Sequence, residues 1–277
     1  SLPIVRLKVV SLHLDLKYSI MKTDKPLILI SNDDGYNAKG ILELVSCLAD
    51  LGEIVVMAPD GPRSGASCAI TSEYPIRYQE VRRESNLTIY KCNGTPVDCV
   101  KLALYELLPR IPDLVIGGIN HGDNSSVNVH YSGTMGVVIE GCLKGISSIG
   151  FSLCNHASDA DFEAMLPYVK QIVIETLTNG LPKGVCLNVN APLTNDIKGV
   201  RICRQTQGDW SNEWKRNQHP RGSEYFWLTG KYTNLEPESA DTDQWALANQ
   251  YIAVTPIQVD MTAYNFIDKL NNWSFRS

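Results

Sequence analysis

Two aspartates, Asp33 and Asp34, stand side by side directly after the apolar run Leu27-Ile28-Leu29-Ile30-Ser31-Asn32 and before Gly35. Adjacent carboxylates repel unless something cationic lies between them, and a hard divalent metal ion with oxygen ligands is the simplest such group. Asn-Asp-Asp-Gly is also ordinary turn chemistry, so on these residues alone a metal site and a plain turn both stand. Two later stretches carry donors of the same kind: Ala58-Pro59-Asp60-Gly61-Pro62-Arg63-Ser64-Gly65-Ala66-Ser67, and Gly117-Gly118-Ile119-Asn120-His121-Gly122-Asp123-Asn124. Carboxylates, small hydroxyls and amides together make an all-oxygen ligand set, suited to magnesium or manganese and unsuited to zinc.

Tyr131-Ser132-Gly133-Thr134 precedes a helical pattern over 134–144. A helix N-terminus offers unpaired N–H groups and the positive end of the helix dipole, which favour an anion such as phosphate. The plainer role for Ser132 or Thr134 is to cap the helix. Gly94-Thr95-Pro96-Val97-Asp98 opens a helix by the same rules, with Thr95 as N-cap and a substrate contact from Thr95 as the sharper alternative. His121 and His130 lack an H-x-x-x-H partner and a serine nucleophile, and read as substrate-side or structural. His13, His156 and His219 carry no signal.

These residues need a scaffold that brings separate loops together, and the alternation of strand and helix signals supplies one. Strands are expected at 27–31, 54–57, 87–91, 114–116, 148–153 and 185–189, and helices at 38–51, 97–108, 134–144 and 161–177. Leu27–Ile30 has no polar alternation, as a parallel strand buried on both faces requires. The fold class is therefore α/β: a three-layer, Rossmann-like, mostly parallel sheet with helices on both faces, whose ligands bind at the carboxyl ends of the strands. Residues 26–199 form the α/β unit and 200–277 a C-terminal segment packing on it. Further strands are expected at 200–204, 224–228 and 251–255, and helices at 242–248 and 263–270. The polar segment 208–221, with Trp210 and Trp214, reads either as a surface loop or as an arm or hairpin whose tryptophans, Trp227 included, find partners on another subunit.

The chain has 277 residues, 44% of them hydrophobic, enough for a large core. Acidic residues outnumber basic ones, 30 to 25, for a formal charge of -5, which argues against a binder of nucleic acid polymers. The eight cysteines are scattered with no C-x-x-C pair, as expected of free thiols in the cytoplasm. No apolar run approaches the roughly 20 residues of a membrane helix. Residues 1–25 read as an expression or start-site extension that pairs loosely or not at all, without the apolar centre of a secretory signal. The chain lacks G-x-G-x-x-G after the first strand, G-x-x-x-x-G-K-[ST] and G-x-S-x-G, which disfavours a nicotinamide site, a P-loop and a serine hydrolase elbow.

Taken in order, Ser31-Asn32-Asp33-Asp34-Gly35, Ala58-Pro59 with Ser64-Gly65, Gly94-Thr95-Pro96-Val97-Asp98-Cys99-Val100, Gly118-Ile119-Asn120-His121-Gly122-Asp123-Asn124 and Tyr131-Ser132-Gly133-Thr134 resemble the stationary-phase survival protein SurE family. Asp241-Thr242-Asp243 and Tyr251–Pro256 extend the likeness towards the C-terminus. The resemblance implies a metal-dependent 5'-nucleotidase that removes phosphate from nucleoside monophosphates. It implies one divalent cation per subunit, magnesium or manganese, on Asp33, Asp34, Ser64 and Asn120, with Asp33 and Asp34 catalytic. It also implies a phosphate pocket at Asn124 and Ser132-Gly133-Thr134, and a homodimer or homotetramer formed through the C-terminal arm. Two departures stand near the pocket: Ser125-Ser126-Val127-Asn128 replaces a stretch that usually holds a glycine and then an aspartate, and Gly117 replaces a common serine. The rival expectation is a non-catalytic nucleotide or metal sensor on the same scaffold.

Overall fold

The computed structural model describes residues 25–275; residues 1–24, which carry nearly all of the expected N-terminal extension, lie outside it. The first half runs β1 (Leu27–Ser31), α1 (Lys39–Leu48), β2 (Glu53–Pro59), β3 (Tyr78–Arg83), β4 (Leu87–Cys92), α2 (Pro96–Leu102), β5 (Leu114–His121) and α3 (Gly133–Leu143). The second half runs β6 (Ser148–Leu153), α4 (Leu166–Asn179), β7 (Val185–Ala191), β8 (Val200–Ile202), β9 (Gly208–Ser211), β10 (Trp214–Gln218), β11 (Glu224–Leu228), β12 (Lys231–Asn234), α5 (Asp243–Ala248), β13 (Ile252–Gln258) and α6 (Tyr264–Asn271). Nine of these strands make one sheet in the order β3-β4-β2-β1-β5-β6-β7-β13-β8.

β1 is buried along its whole length and lies between β2 and β5, parallel to both. Ile28 and Ile30 face one core with α1 and α4, while Leu27 and Leu29 face the other with α2 and α3. A strand wet on neither face needs apolar side chains at every position, which explains the unbroken run. Helices thus cover both faces, as the α/β reading requires. The chain leaves β1 towards β2 and returns on the other side at β5, so the strand order reverses beside β1. Such a reversal opens a crevice at the carboxyl ends of the strands. α1 seats Ile41, Leu44, Val45 and Leu48 on the sheet, and Gly40 brings it against the Ile119 carbonyl, where a side chain would collide.

Several elements differ from their expected form. β3 has no apolar period; all six residues are exposed and it pairs antiparallel to β4 as a charged edge strand. β5 runs on through Gly117–His121, a stretch that reads as a loop in sequence, because β6 pairs with it past a register shift between Gly117 and Asn120. The helix expected over 97–108 is α2 followed by a π-helical turn at Ala103–Leu107. α4 begins at Leu166 rather than near 161, with Pro167 in its first turn, where a missing N–H costs nothing. β13 pairs antiparallel with β7 and carries β8 parallel at the edge, so the C-terminal segment contributes to the same sheet. Residues 208–234 are a hairpin and not a loop: β9 pairs with β12 and β10 with β11, both antiparallel.

Candidate active site

The carboxyl ends of β1, β2 and β5 open into a cavity of about 680 Å³, and Asp33, Asp34, Ser64 and Asn120 all line it. The turn after β1 is locked by Asn32, whose side chain donates to Gly35 O at 2.9 Å and accepts from Gly35 N–H at 3.1 Å. The second loop is tied to the first by the Arg63 N–H, which donates to Asp33 O at 2.7 Å. Asn120 donates its amide to Gly122 O at 2.7 Å, which leaves the side-chain carbonyl oxygen as its contribution to the cavity.

Asp33 is 5% exposed and sits against the start of α3. Burial pushes its carboxyl up to about 6; the Thr134 hydroxyl opposes this, the neighbouring Asp34 charge adds to it, and the Gly133 N–H opposes it. Asp34 is also raised by burial and held back by His121 and His156. No lysine or arginine lines the cavity among the described residues. Two carboxylates in this state have only histidines beside them and no permanent cation, and that is the environment a hard dication fits.

The residues expected to hold phosphate divide. Thr134 is fully buried and its hydroxyl donates to Asp33 Oδ1 at 2.6 Å. A Cβ on Gly133 would come within 2.7 Å of the Asp33 Cβ, so this glycine makes room for the carboxylate. Both therefore serve Asp33, because the free N–H end of α3 already faces an anion supplied by the chain itself. Ser132 does line the cavity: its Oγ accepts from Met135 N–H at 3.0 Å as the N-cap, which leaves its own proton to donate. Asn124 also lines the cavity, 4% exposed, and donates its side-chain amide to Ser152 Oγ at 2.7 Å. A hydroxyl both donates and accepts, so the turned amide satisfies Ser152 equally and frees its N–H groups for another acceptor.

Thr95 lies outside this lining. Its hydroxyl accepts from Asp98 N–H at 3.1 Å and donates to Ala69 O at 2.7 Å, while its own N–H goes to Asp98 Oδ2, so it closes a capping box. The plainer capping role holds there. His130 is exposed, and its carbonyl accepts from the Ser67 hydroxyl at 2.7 Å.

Several wall residues carry no sequence signal for this site. His156 comes from the loop after β6, and Trp210, Glu213, Leu228, Thr229 and Tyr232 come from the hairpin. Asp123, Asn128 and Tyr131 lie within motif stretches but carry no ligand-like pattern of their own. The Ser125–Asn128 departure has a clear structural role: Ser126 adopts φ 52°, a left-handed backbone that favours glycine. Its N–H donates to Asp243 Oδ2 at 2.9 Å, its hydroxyl to Thr206 O at 2.9 Å, and it accepts from Tyr232 OH at 2.7 Å. Those bonds offset a backbone cost of about 1–2 kcal/mol. Trp210 finds its partners within its own chain, donating its indole N–H to Asn128 Oδ1 at 2.9 Å.

Comparisons with known proteins bear on the family and the fold. Residues 28–212 match the family model described as Survival protein SurE. The chain is 68% identical over 254 residues to a protein of Phocaeicola vulgatus named 5'-nucleotidase SurE, covering 92% of this chain and 99% of that one. It is 61% identical over 253 residues to a protein of the same name from Bacteroides thetaiotaomicron, covering 91% and 98%. The crystal structure of the SurE protein from Aquifex aeolicus superposes with a TM-score of 0.77 at 34% identity, over 89% of this chain and 98% of that one. With the motifs of β1, β2 and β5 gathered on one cavity and the matched region spanning all of them, this chain belongs to the SurE family.

Proposed function

We propose that this chain is a 5'-nucleotidase that hydrolyses nucleoside monophosphates to nucleoside and phosphate, with one divalent cation per subunit on Asp33, Asp34, Ser64 and Asn120. The observation that carries the reading is the convergence of those four residues with Ser132 on a single cavity. The names of the similar proteins support the activity. The donor set is oxygen only, which favours magnesium or manganese. Either ion, when bound, supplies positive charge to the phosphoryl group and acidifies water.

The chain's own residues do the positioning. Asp33 is oriented by hydrogen bonds from the Thr134 hydroxyl and the Gly133 N–H. Asp34 accepts from the His121 N–H and lines the cavity beside it. Ser132 and Asn124 offer donors to phosphate oxygens. Preorganised donors and fixed charges of this kind carry most of the acceleration in phosphoryl transfer.

The C-terminal segment 200–277 supplies the oligomerisation arm of a homodimer or homotetramer, and 26–199 supplies the floor of the site. Trp214 and Trp227 on the hairpin keep 63% and 64% of their surface exposed, and α6 has no buried residue, as expected of surfaces that await another subunit. All eight cysteines are free, which supports the cytoplasm as its compartment, and no helix among the described residues is long and apolar enough to cross a membrane.

A phosphate-release assay over nucleoside monophosphates, with magnesium or manganese, tests the reading. Release that stops on chelation and returns with the ion supports it. Tight nucleotide binding with no release would favour the sensor instead.

A further inference from the structure

The floor of the cavity accounts for a phosphoryl group and its cation, but the opposite wall has no role yet. The base of the hairpin builds that wall with Trp210, Glu213, Leu228, Thr229 and Tyr232. A phosphomonoester also has a leaving group, and about 680 Å³ holds far more than a phosphate.

Trp210 is the ordered ring on that side. Its indole N–H is fixed on Asn128 at 2.9 Å, its ring meets Tyr232 edge-to-face at 5.7 Å between centroids, and Gly230 lies so close that a Cβ there would come within 2.8 Å of a ring carbon. Asn128 belongs to the turn between Asn124 and Ser132, so the ring is registered to the segment that places both phosphate donors. A ring already held in place loses little freedom when a second aromatic plane stacks on it.

The charges around the cavity act in the opposite sense. Glu213 and Asp123 line the cavity in addition to Asp33 and Asp34, with His121 and His156 but no lysine or arginine among the described residues. One dication balances the aspartate pair, and no cationic side chain remains for a second phosphate.

We propose that the wall around the hairpin base selects the leaving group: Trp210 receives the nucleobase on its ring, while Glu213 beside it and Asp123 from the turn after β5 turn away leaving groups that carry further phosphates. These side chains then set how strongly nucleoside monophosphates are preferred over small aliphatic monoesters on one side and over nucleoside diphosphates or polyphosphate on the other. This rests on the hydrolase reading and sharpens it.

The test compares kcat/KM for adenosine 5'-monophosphate, glycerol phosphate and adenosine 5'-diphosphate in the magnesium-loaded protein. Trp210→Ala is expected to lower the ratio of adenosine monophosphate to glycerol phosphate by about 5- to 100-fold, mostly through KM. Trp210→Phe, which keeps a ring, retains most of that ratio and stands in if the alanine variant fails to fold. Glu213→Gln raises the ratio of diphosphate to monophosphate by about threefold or more. A monophosphate-to-glycerol phosphate ratio that stays within twofold in Trp210→Ala overturns the platform, and an unmoved diphosphate ratio in Glu213→Gln overturns the charge filter. If the unaltered protein releases phosphate from none of the three, the hydrolase reading fails. Calorimetric binding of adenosine monophosphate and diphosphate then decides this proposal separately: equal affinity in Trp210→Ala and the parent, or equal affinity for the two nucleotides, ends it.

Discussion

Asp33 lies 5% exposed at the end of a strand packed on both faces, whereas across the cavity the hairpin carries Trp214 and Trp227 with 63% and 64% of their surface in solvent. The floor is placed by the sheet: β1, β2 and β5 share a continuous hydrogen-bonded register, and two hydrophobic cores clamp it from either side. The hairpin belongs to neither core and touches the rest of the cavity through a few side-chain bonds, chiefly Trp210 to Asn128 and Tyr232 to Ser126. The contrast suits the two tasks proposed for these regions. Bond cleavage needs groups held to a fraction of an ångström, while recognition of a leaving group tolerates an adaptable wall.

If the floor carries the chemistry, the largest effect follows from its carboxylates. Asp33→Asn is expected to lower kcat/KM by about 10³-fold or more with the fold retained, as read by phosphate release beside circular dichroism. Near-normal turnover would break the distinction between floor and wall.

Gly133→Ala probes placement without removing any functional group. The added Cβ must displace Asp33, so turnover should fall by about 10²-fold and stability by about 1–3 kcal/mol. An unchanged rate would mean that the position of Asp33 is not critical.

The buried charge also predicts a pH effect in chelator-treated protein. Asp33 titrates near 6 in the fold against an ordinary value of 3.8, so folding favours its protonated form. Its contribution is fully present below the ordinary value and is lost as pH rises through about 6, a swing of about 3 kcal/mol. Denaturant titrations at pH 4.5 and 7.5 should therefore show Asp33→Asn gaining stability over the parent as pH rises, and divalent ions should reduce that gain. A difference independent of pH would sink it.

Tyr232→Phe is the smallest test, on the wall. Loss of the hydroxyl bond to Ser126 should cost about 1 kcal/mol of stability and change turnover by less than about threefold, measured by thermal melting and the same assay. A collapse of activity comparable with Asp33→Asn would erase the contrast between the two regions.

Much of the floor was legible because its signals are local. The unbroken run Leu27–Ile30 reads as a doubly buried strand, and the two carboxylates at its carboxyl end left a metal site and a plain turn both open until the later motifs were added. β3 was invisible for the opposite reason: it is an exposed charged edge strand with no apolar face, defined only by its pairing with β4. Gly117–His121 read as a loop because glycines weaken any strand pattern, and the neighbouring strand overrode them.

What the sequence determined by itself was the α/β class, the order of the motifs and the presence of oxygen donors in them, since apolar period and side-chain type are properties of short stretches. Which hydroxyl meets which partner was decided only in three dimensions. Thr134 and Thr95 look alike in sequence as helix starts, yet one supports Asp33 and the other closes a capping box with Asp98. His156 and Trp210 reach the cavity from loops and strands remote in the chain, and a lone histidine or tryptophan carries no record of its destination. The reason is that such contacts are set by the packing of whole elements, which no window of neighbouring residues encodes.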